Sequence, residues 1–123
     1  MAKKILVVED EKIMSEIIAA RLGSRGYDVL VAADGQKGLV LAKKERPDLV
    51  VLDLLMPNMD GYEVVKQLKE DENTKEIPVV IYSVKEEDTD MEKAFELGAD
   101  AYCLKDFDSK VLLKKITQIL GEE

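Results

Sequence analysis

Histidine and tryptophan are both missing from this chain of 123 residues, and cysteine occurs once. The lack of histidine removes the commonest general base near neutral pH and the commonest transition-metal ligand together. Chemistry here has to come from carboxylates, lysines, hydroxyls or the backbone. A lone Cys103 can form neither an intramolecular disulfide nor a thiolate cluster. Its place in an apolar run predicts a buried structural thiol. No apolar run is long enough to cross a bilayer. The start, Met1-Ala2-Lys3-Lys4, leads straight into a strand-like run without a signal-peptide pattern, so a cytoplasmic protein with no membrane contact is expected. Basic residues are outnumbered 18 to 26, giving a formal net charge of −8. That argues against direct binding to nucleic acid, whose phosphates demand a basic footprint.

What is present suits one globular domain spanning residues 1–123: 46% hydrophobic and 36% charged residues, with no repeat, linker or low-complexity stretch. A short apolar run followed by an amphipathic stretch recurs five times. The apolar runs are Ile5 to Val8, Val29 to Ala32, Leu49 to Leu52, Val79 to Tyr82 and Ala101 to Leu104. Their Val, Ile and Leu content predicts strands covered on both faces. Between them lie helical stripes: Met14, Ile17, Ile18 and Leu22, stopped near Gly23 and Gly26; Leu39 and Ala42, ended by Pro47; Val64, Val65 and Leu68; Met91, Ala94, Phe95 and Leu97, closed by Gly98; and Leu112, Ile116, Ile119 and Leu120. Asp108 or Ser109 is the expected N-cap of the last helix. Strict alternation implies a doubly wound parallel sheet with helices on both faces. The chain's size favours a five-stranded, flavodoxin-like (βα)5 fold of strand order 2-1-3-4-5, although periodicity alone does not fix the order.

All strands of such a sheet end on one edge, where ligands bind. The residues just past the apolar runs therefore meet: Glu9, Asp10 and Glu11 after the first, Asp53 after the third, Ser83 after the fourth and Lys105 after the fifth. Asp34, after the second, lies towards the sheet's margin and is left out of the site. Glu9, Asp10 and Asp53 would repel one another unless something positive sat among them, and a hard divalent cation such as magnesium fits. Such an ion also neutralises charge on a transferring phosphoryl group. Lys105 supplies an ammonium, Ser83 a hydroxyl, and Asp53 a carboxylate able to form an acyl phosphate. Each has a plainer reading taken singly: Asp10 as a helix cap, Ser83 as a turn residue, Lys105 as a solubilising charge. Asp53, between Val50-Val51-Leu52 and Leu54-Leu55, is the hardest to explain as ordinary surface.

From about Lys4 to Leu120 the sequence resembles the receiver domains of bacterial response regulators. The most specific stretch is Asp53-Leu54-Leu55-Met56-Pro57-Asn58-Met59-Asp60-Gly61, with Glu9-Asp10, Ser83 and Lys105 at matching places. The resemblance implies that Asp53 is phosphorylated by a histidine kinase or a histidine phosphotransfer protein. It implies that Glu9, Asp10, Asp53 and the backbone carbonyl of Leu55 hold Mg2+, and that Lys105 and Ser83 contact the phosphoryl oxygens. Ser83 moving towards that group, with Tyr102 turning inward, is the implied switch. A plain half-buried aromatic is the alternative for Tyr102. Output is expected through a partner, as yet unidentified, on the face formed by the fourth helix, last strand and fifth helix. The chain is expected to be a monomer, with phosphorylation able to pair two copies there.

Asp106 stands where the family usually has a proline after a cis bond. A cis bond before a non-proline costs about 2.5–4 kcal/mol, so a trans peptide or a strained one is expected. Val84 stands where a smaller residue is common, narrowing access to Asp53. Leu55 and Lys85 occupy positions that tune hydrolysis of the acyl phosphate in the family, and an apolar Leu55 predicts a long-lived phosphoryl group. A flavin carrier is excluded because Glu9-Asp10-Glu11 would repel phosphate. An aspartyl phosphatase lacks its second acid near Asp53. No turnover enzyme is expected beyond the chain's own phosphotransfer and autodephosphorylation. The remaining alternative is a non-phosphorylated pseudo-receiver that serves as a docking module.

Overall fold

The computed structural model describes residues 2–56, 59–84, 88–106 and 109–121. The strands are β1 (Lys4–Val8), β2 (Asp28–Ala32), β3 (Leu49–Leu52), β4 (Val79–Ser83) and β5 (Ala101–Leu104). The helices alternating with them are α1 (Lys12–Ser24), α2 (Gly35–Glu45), α3 (Gly61–Glu70), α4 (Asp88–Glu96) and α5 (Lys110–Leu120). All pairings are parallel, in the order β2-β1-β3-β4-β5, which is the expected flavodoxin-like arrangement.

Period-two alternation sends each strand's side chains into two separate cores. Leu6, Val8, Val50, Leu52 and Ile81 meet Leu39, Val64, Leu68 and Ala94 of α2, α3 and α4 on one face. Ile5, Val7, Val51, Val80, Tyr82 and Cys103 meet Ile18, Leu22, Leu112 and Ile116 of α1 and α5 on the other. Cys103 is buried, as its apolar run requires. Because both faces are covered, the central strands read as solid apolar runs.

Local signals place the helix ends. Asp34 and Asp60 cap α2 and α3, accepting from the N–H groups of Lys37 and Glu63. One reading of a cap needs correction. Asp10 does not cap α1: Glu11 holds that position, without a side-chain bond. Ser109 is the N-cap residue of α5, as expected, but in a left-handed conformation (φ 58°) it makes no side-chain capping bond; Asp108 lies outside the described residues.

Carboxylates tie down the sheet's opposite edge, where strands begin. Asp48 accepts from the backbone N–H of Lys4 at 2.7 Å. Asp100 accepts from the N–H of Val79 at 2.7 Å and from the Lys69 ammonium at 3.0 Å.

Candidate functional site

Three site residues are held by hydrogen bonds that carry the sheet ladder one step past the strands. Glu9 N–H donates to Ala32 at 3.0 Å, Asp53 N–H to Val8 at 3.1 Å, and Lys105 N–H to Ser83 at 2.9 Å. Their side chains thus project from rigid backbone at the carboxyl edge of neighbouring strands, where order 2-1-3-4-5 has its crevice.

Glu9, Asp10 and Asp53 offer carboxylate oxygens that all lie within 4.8 Å of one another. Glu9 and Asp53 are buried, at 3% and 6% exposure, while Asp10 opens to solvent. The Lys105 ammonium reaches both buried acids, at 2.7 Å from Glu9 Oε1 and 3.4 Å from Asp53 Oδ2. The other oxygens accept from backbone: Glu9 Oε2 from Glu11 N–H at 3.3 Å, Asp53 Oδ1 from Leu55 N–H at 3.1 Å. Burial pushes the Glu9 carboxyl up and the nearby Asp53 charge adds to this, while the Lys105 hydrogen bond pulls the other way. Burial would lower the Lys105 pKa, yet the Glu9 hydrogen bond and the charges of Asp53 and Glu9 together raise it, fixing it as a cation.

The chain after Asp53 folds back tightly. Gly61 N–H donates to the Leu54 carbonyl at 3.2 Å. A Cβ at Gly61 would stand 2.6 Å from Leu54 Cα and 2.8 Å from the Asp53 carbonyl oxygen, so only glycine fits there. Leu55 is exposed, as is Val84 at 62%. Pro57, Asn58 and Lys85 lie outside the described residues.

Ser83 is fully buried at the end of β4. Its hydroxyl bonds to the half-buried Tyr102, whose phenol is pushed up chiefly by burial and by the Asp90 charge. The structure therefore brings together Glu9, Asp10, Asp53 and Lys105, and links Ser83, on the neighbouring strand, to Tyr102.

Sequence reasoning missed a second polar group beneath Lys105. The peptide between Lys105 and Asp106 is trans, since the described residues contain no cis bond. The Asp106 side chain is 3.0 Å from the buried Tyr82 hydroxyl, and the Ser109 hydroxyl is 3.1 Å from it. Arg21 donates to Ser109 at 2.9 Å. Tyr82 reads in sequence as one more apolar strand residue, so only the structure reveals what its hydroxyl meets. A further pair, Tyr62 donating to Asp90 at 2.7 Å with the Lys93 ammonium 4.2 Å from the ring, joins α3 to α4.

Comparison with known proteins agrees with this geometry. The sequence profile of the response regulator receiver domain matches residues 5–117. The alkaline phosphatase synthesis transcriptional regulatory protein PhoP of Bacillus subtilis is 40% identical over 120 residues, covering 98% of this chain and 49% of that protein. The DNA-binding dual master transcriptional regulator RpaA of Synechocystis is 38% identical, over 95% of this chain and 48% of that protein. The chain thus spans about half the length of the curated relatives it matches. Among solved structures, the chemotaxis protein CheY4 of Vibrio cholerae superimposes with a TM-score of 0.91 at 28% identity, over 97% of this chain and 99% of that one. The beryllofluoride-activated receiver domain of Klebsiella pneumoniae RstA gives 0.88 at 32%, over 97% and 99%. No described helix is long and apolar enough to cross a membrane. With a fold, an acidic edge and a matched profile that coincide over nearly its whole length, the chain belongs to the family of response regulator receiver domains.

Proposed function

We propose that this chain accepts a phosphoryl group on Asp53 from a histidine kinase or histidine phosphotransfer protein and so switches a partner-binding face. The observation that carries this reading is Lys105, whose ammonium bridges Glu9 and Asp53 inside the acidic triad. A buried lysine shared by two carboxylates is poised to move onto a third anionic group, a phosphoryl oxygen, without leaving the site.

The donor set is all oxygen, which suits Mg2+ better than a softer metal. Glu9, Asp10 and Asp53 would hold it, with the Leu55 carbonyl added by family resemblance. Bound magnesium would supply neutralisation of the phosphoryl oxygens during transfer. The Asp53 carboxylate attacks phosphorus, an O–P bond forms, and the P–N bond to the donor imidazole breaks. The imidazole leaves with the electron pair and takes a proton from solvent. Lys105 and Ser83 then bind the new phosphoryl oxygens. Ser83 is already bonded to Tyr102, so drawing its hydroxyl towards Asp53 changes what holds the ring. The altered surface is that of α4, β5 and α5, where Phe95, Leu104 and Val111 stand exposed.

No substrate is turned over beyond the chain's own transfer and autodephosphorylation. The reading places the chain in the cytoplasm, as a monomer that can pair on phosphorylation. The net charge of −8 supports contact of this chain with protein rather than DNA. The test is magnesium-dependent binding of beryllofluoride, lost in Asp53→Asn. Failure to bind with both at millimolar concentration would leave the pseudo-receiver docking module standing.

A further inference from the structure

Among the described residues Tyr82 ranks first in volume of the fully buried side chains, at 1% exposure, in the core between the sheet and helices α1 and α5. Leucine would fill such a place without a hydroxyl to satisfy. Here the hydroxyl lies under the loop that follows Lys105. It is 3.0 Å from Asp106 Oδ1, 3.3 Å from the Asp106 carbonyl, and 3.4 Å from the Asp106 amide nitrogen that approaches it as donor. Ser109 Oγ, at 3.1 Å, approaches the same oxygen and itself accepts from Arg21 at 2.9 Å. Directing the single Tyr82 proton to the charged acceptor, Asp106, leaves the Ser109 proton for Tyr82. A chain of donors then runs from Arg21 through Ser109 and Tyr82 to Asp106.

The placement along the backbone matters most. Lys105 N–H donates to the carbonyl of Ser83, while the amide on its other side, that of Asp106, meets the hydroxyl of Tyr82. Adjacent residues of β4 thus hold both flanks of Lys105. We propose that Tyr82 is a positioning residue for Lys105, its hydroxyl and the Asp106 carboxylate fixing the loop from which the Lys105 ammonium reaches Glu9 and Asp53. The consequence for phosphoryl binding rests on the function proposed above; the consequence for Lys105 itself does not.

The experiment uses the whole chain in four variants: Tyr82→Phe, Asp106→Ala, the double mutant, and Asp106→Asn, which keeps an acceptor oxygen. Tyr27→Phe, which removes a phenol hydroxyl from the same core, is the control. Two properties are read: the rate at which an amine-acylating reagent labels Lys105, resolved by peptide mass spectrometry without magnesium, and beryllofluoride affinity with magnesium. Tyr82→Phe and Asp106→Ala should each speed Lys105 labelling by about threefold to tenfold, the scale of one hydrogen bond. The double mutant should go no further than either single change, as expected of partners in one contact. Asp106→Asn should restore most of the protection, and Tyr27→Phe should change nothing. Unchanged labelling in Tyr82→Phe, or effects of Tyr82→Phe and Asp106→Ala that simply multiply, would overturn the inference. If labelling follows the expected pattern but the wild type binds no beryllofluoride, the positioning of Lys105 stands and the phospho-acceptor reading fails.

Discussion

The ammonium of Lys105 stands 2.7 Å from Oε1 of Glu9 and 3.4 Å from Oδ2 of Asp53, so its tighter partner is not the proposed phospho-acceptor. In this state lysine serves the acidic nest as its counterion. Lys105→Met should therefore have two effects. Phosphoryl acceptance from a small donor such as acetyl phosphate should fall about a hundredfold, the usual cost of deleting one transition-state donor. The fold should lose about 3 kcal/mol, because two buried acids lose their partner. Magnesium should restore more stability to this variant than to the wild type. Urea unfolding with and without the ion measures that difference, and equal gains for both proteins would refute it.

Leu55 is exposed beside Asp53 and offers neither donor nor acceptor on its side chain. Leu55→Asn should shorten the life of the aspartyl phosphate by about tenfold, the worth of one hydrogen bond orienting the attacking water. Phosphate release after a pulse of acetyl phosphate reports the rate. An unchanged half-life would show that Leu55 does not set it.

These positions also mark how far the sequence could be read. Glu9, Asp53, Ser83 and Lys105 were legible because each directly follows, or closes, a run of strand residues, and parallel topology then forces their meeting. The strand runs themselves were legible because burial on both faces leaves no polar interruption. The partner that Lys105 prefers was not legible, since a fraction of an ångström separates two acids equivalent in sequence. Nor was the Tyr82–Asp106 contact, because a tyrosine inside an apolar run signals burial and not the direction of its hydroxyl. The cap of α1 was misplaced by one residue, at Asp10 instead of Glu11, because adjacent acids are equivalent in sequence.

Gly61 tests the loop behind Asp53. Its missing Cβ would press on backbone atoms of Leu54 and Asp53, which cannot swing aside as a side chain can. Gly61→Ala should cost about 1–3 kcal/mol, a typical overpacking penalty, and weaken beryllofluoride binding as well. Gly23 is the contrast, lying within α1 with open space around it. Gly23→Ala should stabilise by about 0.5–1 kcal/mol and leave the site untouched.

Asp71 gives a pH signature remote from the site. It accepts from the backbone N–H of Asn73 at 2.8 Å and pairs with Lys43 at 3.2 Å, linking the end of α3 to α2. The Asn73 bond first, and then Lys43, hold its carboxyl below the usual aspartate range. A depressed folded-state pKa means stability that is full above the unfolded value and is lost as the pH falls through the folded one. Asp71→Asn should therefore lower stability at neutral pH and flatten the acid limb of the curve, so that the two proteins converge at low pH. Parallel curves for the two proteins would count against this.

Asp48 and Asp100 clasp the strand starts as firmly as Lys105 guards the strand tips, and they do so far from the chemistry. Such an arrangement gives the sheet a fixed foot and a responsive crown. Backbone amides at Lys4 and Val79 should exchange with deuterium slowly and at one rate whether or not Asp53 is charged with phosphate. Any quickening or slowing that modification brings should be confined to the upper rim, so a message written there leaves by the neighbouring helices instead of loosening the sheet.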